Sequence, residues 1–515
     1  MKVKKISNFI INFFLLTLVA TSLIGAISLV SVTFARASKI ILVFLALMIL
    51  TVDLVVTYFD GSLLLLKKVK AFLVAHRRLS LVLLSLFTVL WQLLLIISLS
   101  GQSFWDPSII ESAAAGLKFD KNYFSFCPNT LLLFFFEHTV YIIAGHPGFR
   151  ELTLILEVVN LVLLDTSLFI LLTSVRRYFN KTTSRITAVL FWILIVVSPL
   201  IAIPYSDIWA LFFSSIIIGL GYRVIETEDL QKRMILCLVL GTTLAVSYLV
   251  KPSLLVYLIA WVLIQTVTVF TKKEKLGKLL LSIIFLVLPL LLIPAFNNAA
   301  THTNLVRVEK GRSMTVTHYM AMGLASGGGY NEQDVLLNKK IKDKDKRNKV
   351  NINLIKKRLH EKGPSGYIKF LFNKQISNTS DATFGWRNDG GGSGFLVPFF
   401  SNKNAVMDKI QNIYVSDNSE RDWSGNSLVV QIVWAIALTG ILATLPNAQL
   451  KVQLMKYTVV GGMMFLLIFE GGRSRYMIQF LPFVVVLAAI GFDNIIKILK
   501  NNIIKAAKYD NGERN

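Results

Sequence analysis

Residues 101–150 read GQSFWDPSIIESAAAGLKFDKNYFSFCPNTLLLFFFEHTVYIIAGHPGFR. The stretch lies between two long apolar runs, yet it carries Asp106, Glu111, Asp120, Glu137, His138 and His146. Ionisable groups pressed against hydrocarbon are costly and mark functional positions. We read it as a polar loop at a membrane surface and as the candidate active-site loop. Its apolar piece, 130–144, decides the topology. At about 1.5 Å per residue it is too short to cross a core of roughly 30 Å. It also carries Glu137 and His138 and follows Pro128. It is expected to form a juxtamembrane helix on the same side as the rest of the loop.

Outward from this loop, the chain of 515 residues is 54% hydrophobic and 16% charged, where soluble domains carry about 25% charged residues. Apolar runs near 8–34, 40–60, 79–100, 150–173, 185–203, 207–221, 234–250, 253–270, 278–296, 427–446, 456–470 and 476–496 predict about twelve spans. The run 207–221 is short and is expected to start in the headgroup region. The first run exceeds the usual apolar core of a signal peptide and is read as a retained span. The expected fold class is an all-α polytopic membrane protein. Its expected parts are a two-helix membrane extension (1–78), a transmembrane core holding the outer loop (79–296), an extracytoplasmic α-rich domain (297–426), and terminal spans with a basic cytoplasmic tail (427–515).

The net charge of +24 does not point to nucleic acid, because no nucleic-acid motif accompanies it. With both termini in the cytoplasm, 26 of the 54 lysines and arginines fall in cytoplasmic segments and 8 in short outer loops. That is the positive-inside pattern. Treating 130–144 as a span would invert every later loop and place the KKEKLGK cluster outside. The same topology puts Cys127 and Cys237 on opposite sides, so no internal disulfide is expected.

Segment 297–426 is the sizeable soluble part. It contains the glycine-rich GLASGGGYNEQ (323–333), a highly charged, helix-patterned stretch to Gly363, and GYIKFLFNKQI (366–376). The aromatic and basic mixture of the last suits an amphipathic helix on the outer leaflet. The turn-rich TFGWRNDGGGSGF follows. The run Gly327-Gly328-Gly329 lacks the GKS/T ending of a phosphate-binding P-loop.

Several charges sit where spans meet the outer face. Asp106, in Trp105-Asp106-Pro107, fits a helix start with Pro107 in its first turn, and equally a general base at the bilayer surface. Glu111, five residues on, falls about 140° around a helix from Asp106 and is a second carboxylate candidate. Asp207, in IPYSDIWAL, either caps a helix or joins Asp106 on the outer surface. Lys251, in YLVKPSLL, is a lone charge at an outer helical break, which needs an acidic partner or an anion. Arg473 and Arg475 flank the last span; Glu470 neutralising one of them is the structural alternative to a phosphate. His138 and His146 make no metal motif with nearby acids, and neither HExxH nor CxxC occurs. Candidate carboxylates beside candidate phosphate-binding cations suit chemistry on a lipid-linked phosphate.

In this order of motifs the chain resembles the GT-C superfamily of integral-membrane glycosyltransferases. The likeness is to the branch of protein O-mannosyltransferases and aminoarabinose transferases, and to its bacterial cell-envelope members. It covers roughly residues 79–496. It runs through WDP with Asp106, YFSFCPNTLLLFFF, a helix opening with Arg150, SPLIAIPYSD, YLVKPS and the terminal SRYMIQFLP. The chain departs from the pattern in pairing Asp106 only with the distant Glu111, in adding spans 8–60, and in placing its outer domain before the last three spans. The resemblance implies an inverting hexosyl transfer from a polyprenyl-phosphate sugar to an envelope acceptor, whether wall polymer, teichoic acid, glycolipid or protein. Asp106 would be the base, with Glu111 and Asp207 as further catalytic candidates. Lys251, Arg473 and Arg475 would bind the donor phosphate. A divalent cation is compatible with the pattern but not demanded by it. The competing readings are a transporter or flippase of envelope glycolipids, favoured by Asp53, Glu157 and Asp165 within spans, and a non-catalytic scaffold or glycan polymerase.

Overall fold

The computed structural model describes residues 2–36, 75–103, 105–272, 276–386, 396–400, 404–415 and 425–510. The chain opens with α1 (Lys2–Arg36). After α2 (Arg77–Leu99) come the two residues of β1 (Gly101–Gln102) and two short helices, α3 (Asp106–Ala114) and α4 (Leu131–Ile143). A long α5 (Phe149–Tyr178) leads into α6 (Lys181–Phe191), which continues as a π-turn to Val196. The hairpin-like succession α7 (Ser206–Glu226), α8 (Leu230–Val250), α9 (Val256–Lys272), α10 (Leu276–Val287) and α11 (Leu292–Ala300) follows. Outside the bundle lie α12 (Val316–Met322), α13 (Glu332–Lys340), α14 (Lys344–Thr379), β2 (Val397–Pro398) and α15 (Ala405–Tyr414). The chain returns through α16 (Gly425–Leu442), α17 (Leu450–Ile468) and α18 (Leu481–Asp510).

Among the described residues, nine helices are long and apolar enough to cross a membrane, and α16 is a shorter apolar helix. The expected span 40–60, with Asp53, lies outside the described residues. The expected span 185–203 is the 11 residues of α6 and five of the π-turn, stopped ahead of Pro199, which cannot continue a helix. The helix expected over 130–144 is α4, of 13 residues.

Helix ends sort into two groups by their contacts. In one, Lys451 donates to the Tyr178 carbonyl (2.8 Å), Tyr222 donates to the Lys451 carbonyl (2.6 Å) and Asn180 donates to Asp493 (2.8 Å). In the other, the 101–150 loop meets the outer segment. Gly101 pairs with Pro398 across β1 and β2, and Met314 N–H donates to the Phe126 carbonyl (3.0 Å). A Cβ on Gly101 would collide with the Val397 backbone, so the strand contact needs glycine there.

Helix α1 runs along α14, α16 and α17 through a polar seam. Asn12 donates to the Leu445 carbonyl (2.9 Å) and accepts from Lys456 (2.9 Å), and Gln453 donates to Asn8 (2.9 Å). Ser22 takes bonds from Gln375 (3.0 Å) and Thr379 (2.7 Å). The stretch 366–376 runs into this seam at its C-terminal end. Helix α14 kinks at Gly363 (φ 59°) ahead of Pro364. Past the kink, Ile368 and Phe372 stay exposed, while Lys374, Gln375, Asn378 and Thr379 are buried. The segment therefore ends inside the helix seam, while 366–373 stay exposed or half-buried. The reason is polar satisfaction: hydrocarbon offers no partner for these side chains, and the seam does.

Candidate active site

Four of the charges singled out at span ends come together around one aromatic ring. Tyr205 precedes α7 in extended conformation. Its hydroxyl donates to Asp106 Oδ2 (3.1 Å). Asp106 opens α3 with Pro107 behind it, but its side chain makes no cap; the carboxylate reaches Tyr205 instead. Burial holds the Tyr205 phenol protonated, well above its usual range, and the Asp106 charge adds to this. The tyrosine is therefore a hydrogen-bond donor to the carboxylate.

Close to the same ring, Asp207 in the first turn of α7 is clasped by two cations. Lys251 Nζ reaches Oδ1 at 2.9 Å and Arg475 Nε reaches Oδ2 at 2.8 Å. Lys251 caps α8 in extended conformation before Pro252, and also donates to Ser206 Oγ (3.1 Å). Arg475 lies in the 3₁₀ turn Ser474–Phe480 ahead of α18. Its guanidinium stacks 3.7 Å from the Trp105 ring and 5.0 Å from that of Tyr205, and the Lys251 ammonium is 5.3 Å from the latter. Such cation–π contacts orient a guanidinium out of bulk water. Two cations against one clasping carboxylate leave a positive charge beside half-buried Asp106.

A family model described as "Conserved hypothetical integral membrane protein" matches residues 2–496. The chain belongs to that family. Its many apolar helices make this family member a multi-pass membrane protein. No curated protein matches it. Among solved structures it is similar to the archaeal oligosaccharyltransferase AglB from Archaeoglobus fulgidus, in complex with an inhibitory peptide and a dolichol-phosphate. There the TM-score is 0.41 and the identity 12%, over 86% of this chain and 53% of that one. The family member thus spans about half the length of that protein. It is also similar to ArnT from Cupriavidus metallidurans bound to undecaprenyl phosphate, with TM-score 0.31 and 12% identity, over 79% of this chain and 77% of that one.

The remaining site candidates of this family member stand elsewhere. Arg473 is half-buried just ahead of the Ser474–Phe480 turn. Glu470 accepts from the Tyr476 hydroxyl (2.8 Å). Glu111 faces away from the Tyr205 ring, into the packing of α3 on α4 and α5, where Glu137 and Glu157 are its electrostatic neighbours. All three carboxyls are buried; Glu137 has no hydrogen-bond partner for either oxygen, and Glu157 lies beside Ser100. Burial pushes the Glu111 carboxyl up to about 8 and raises Glu137 strongly, with Glu111 adding to the latter. His138 is bonded to the Ala114 carbonyl (2.8 Å) and ties α4 to the end of α3. Among the described residues, no group of histidines, cysteines and acids is arranged to hold a metal ion, and Cys127 and Cys237 are free thiols. Sequence reasoning missed Tyr205 and Trp105. Their only signal was adjacency, each standing within two residues of a singled-out aspartate.

Proposed function

We propose that the protein is a glycosyltransferase that moves a sugar from a polyprenyl-phosphate donor to an acceptor hydroxyl at the outer face of the cell membrane. The observation that carries this reading is the cluster at Tyr205, whose hydroxyl donates to the Asp106 carboxylate while the Lys251 and Arg475 cations lie 5.3 and 5.0 Å from its ring. A base and a pair of cations gathered at one ring suit the acceptor hydroxyl and the phosphate of a sugar-phosphate ester. The motif-level resemblance to GT-C enzymes points the same way.

In this mechanism the donor phosphate lies against Lys251 and Arg475, with its lipid tail between helices. Asp106, steered by Tyr205, takes the proton of the acceptor hydroxyl. That oxygen bonds to the anomeric carbon as the bond to phosphate oxygen breaks, and polyprenyl phosphate leaves with the electron pair. Fixed cations aimed at the developing charge supply the electrostatic contribution that dominates such reactions. Asp207, with an oxygen committed to each cation, acts as their positioning residue rather than as a base. Glu111, held protonated by burial, sits behind the site as part of its frame. The acceptor class and the sugar are set by features beyond these residues.

The test is transfer of radiolabelled hexose from a polyprenyl-phosphate donor to an envelope extract, by purified protein and its Asp106→Asn variant. Wild type is expected to transfer, and the folded variant to lose about 10²–10⁴-fold, the usual worth of a general base. Undiminished transfer by the variant would move the base elsewhere. No transfer with any donor, together with glycolipid movement across liposomes, would replace the enzyme by a flippase.

A further inference from the structure

Two glycine-rich stretches, Gly323–Gly329 and Gly471–Gly472, have no part in the mechanism above, yet they interlock. Gly471 N–H donates to the Gly328 carbonyl at 2.9 Å. A Cβ on Gly472 (φ 73°) would lie 2.9 Å from the Gly329 nitrogen, and one on Gly323 would collide with the Phe469 carbonyl. The approach is so close that a side chain is excluded at Gly323, Gly328, Gly471 and Gly472.

Where they meet, α14 inserts Lys374. Its side chain is 1% exposed. Its ammonium donates to three carbonyls: Gly323 (2.6 Å) in the first loop, and Phe469 (2.7 Å) and Leu467 (3.0 Å) at the C-terminal end of α17. Only a protonated lysine has three N–H donors, and a cation is favoured at a helix C-terminus. One turn along α14, Asn378 accepts from Gly472 N–H. Three residues beyond Gly472 stands Arg475.

We infer that Lys374 and Asn378 are positioning residues: they tie the outer domain to the loop that presents Arg475, so that Arg475 keeps its place on Asp207 and Trp105 only while α14 is seated. The role assigned to Arg475 rests on the glycosyltransferase reading; the tie itself does not. Movement of the outer domain would then be felt at the donor phosphate without touching it. Burial lowers the Lys374 ammonium to about 7, with Glu470 opposing, and its three carbonyl bonds favour the charged form.

The experiment compares wild type with Lys374→Met and Asn378→Ala in nanodiscs. Two quantities are read: hydrogen exchange in peptides covering 452–466 and 467–476, and affinity for polyprenyl phosphate. Both variants are expected to speed exchange about tenfold in 467–476, the worth of one or two hydrogen bonds, and to leave 452–466 unchanged. Lipid-phosphate affinity should fall by a similar factor. In an Arg475→Ala background that fall should vanish, since residues acting through one group are not additive. If Lys374→Met fails to fold, Asn378→Ala, which removes one neutral bond, still decides. Unchanged exchange in 467–476, or an affinity loss that persists without Arg475, overturns the inference. Failure of wild type to bind polyprenyl phosphate sinks the glycosyltransferase reading instead, and the exchange comparison still decides the tie.

Discussion

Tyr205 joins the parts of the site through its hydroxyl and its ring. Tyr205→Phe keeps the ring and removes only the donor to Asp106, so transfer is expected to drop about tenfold in kcat with little change in donor KM. A loss carried in KM would mean that the hydroxyl serves the donor and not the base. Glu111 makes a second residue-level prediction. Its folded carboxyl holds a proton up to about 8, whereas an unfolded chain releases it near 4.5. Between those values the native state binds the extra proton, so stability falls as pH rises through the window and is lost by about 8. Thermal unfolding in detergent should therefore come earlier at pH 8.5 than at pH 5, and Glu111→Gln should flatten the slope. An unchanged slope would show that Glu111 does not titrate there. Asp106, Asp207, Lys251 and Arg475 were legible in the sequence because a charge at the edge of an apolar run has few explanations. Their pairing was not legible, since Asp207 and Arg475 are far apart in sequence and meet only through the fold. Glu111 was weighed against the neighbour five residues away, while its real company arrives from α4 and α5.

Among elements, the packing of α16 against α18 depends on two glycines. A Cβ on Gly491 would collide with the Gly440 carbonyl, and one on Gly440 would lie 2.9 Å from the Ala488 carbonyl. Membrane helices use small residues to let backbones approach this closely. Gly491→Ala must push the helices apart. It is expected to lower the unfolding temperature clearly, whereas Gly277→Ala, with nothing within 4 Å of the added carbon, should not. Equal effects would mean that the close crossing contributes nothing to stability. Helix-level features were read well where length alone decides, as in α4. They were read less well for the last turns of α14, whose mixture of aromatic and basic residues has the composition of a surface helix. Burial of Lys374, Gln375 and Thr379 there is a property of what α1 and α17 offer them, which no local pattern encodes.

For the whole molecule, the two groups of helix ends assign the sides. The N-terminus, the α5–α6 turn and the α16–α17 turn share one face; the 101–150 loop and the outer domain share the other. The charge distribution predicts that the first of these faces is cytoplasmic. In a chain with Cys127 and Cys237 replaced by serine, Lys357→Cys should react with an impermeant maleimide on intact cells and Glu228→Cys should not. The reverse pattern would invert the protein. The seam along α1 also has a consequence in time. Asn8, Asn12 and Ser22 find their partners 353 to 445 residues later in the chain. At about 5–20 residues per second, a ribosome needs roughly 20 to 90 s to produce them. Throughout that interval α1 is a polar-striped segment without its complement. Those polar groups stay unmatched within the chain until α14 and α17 emerge to bond them.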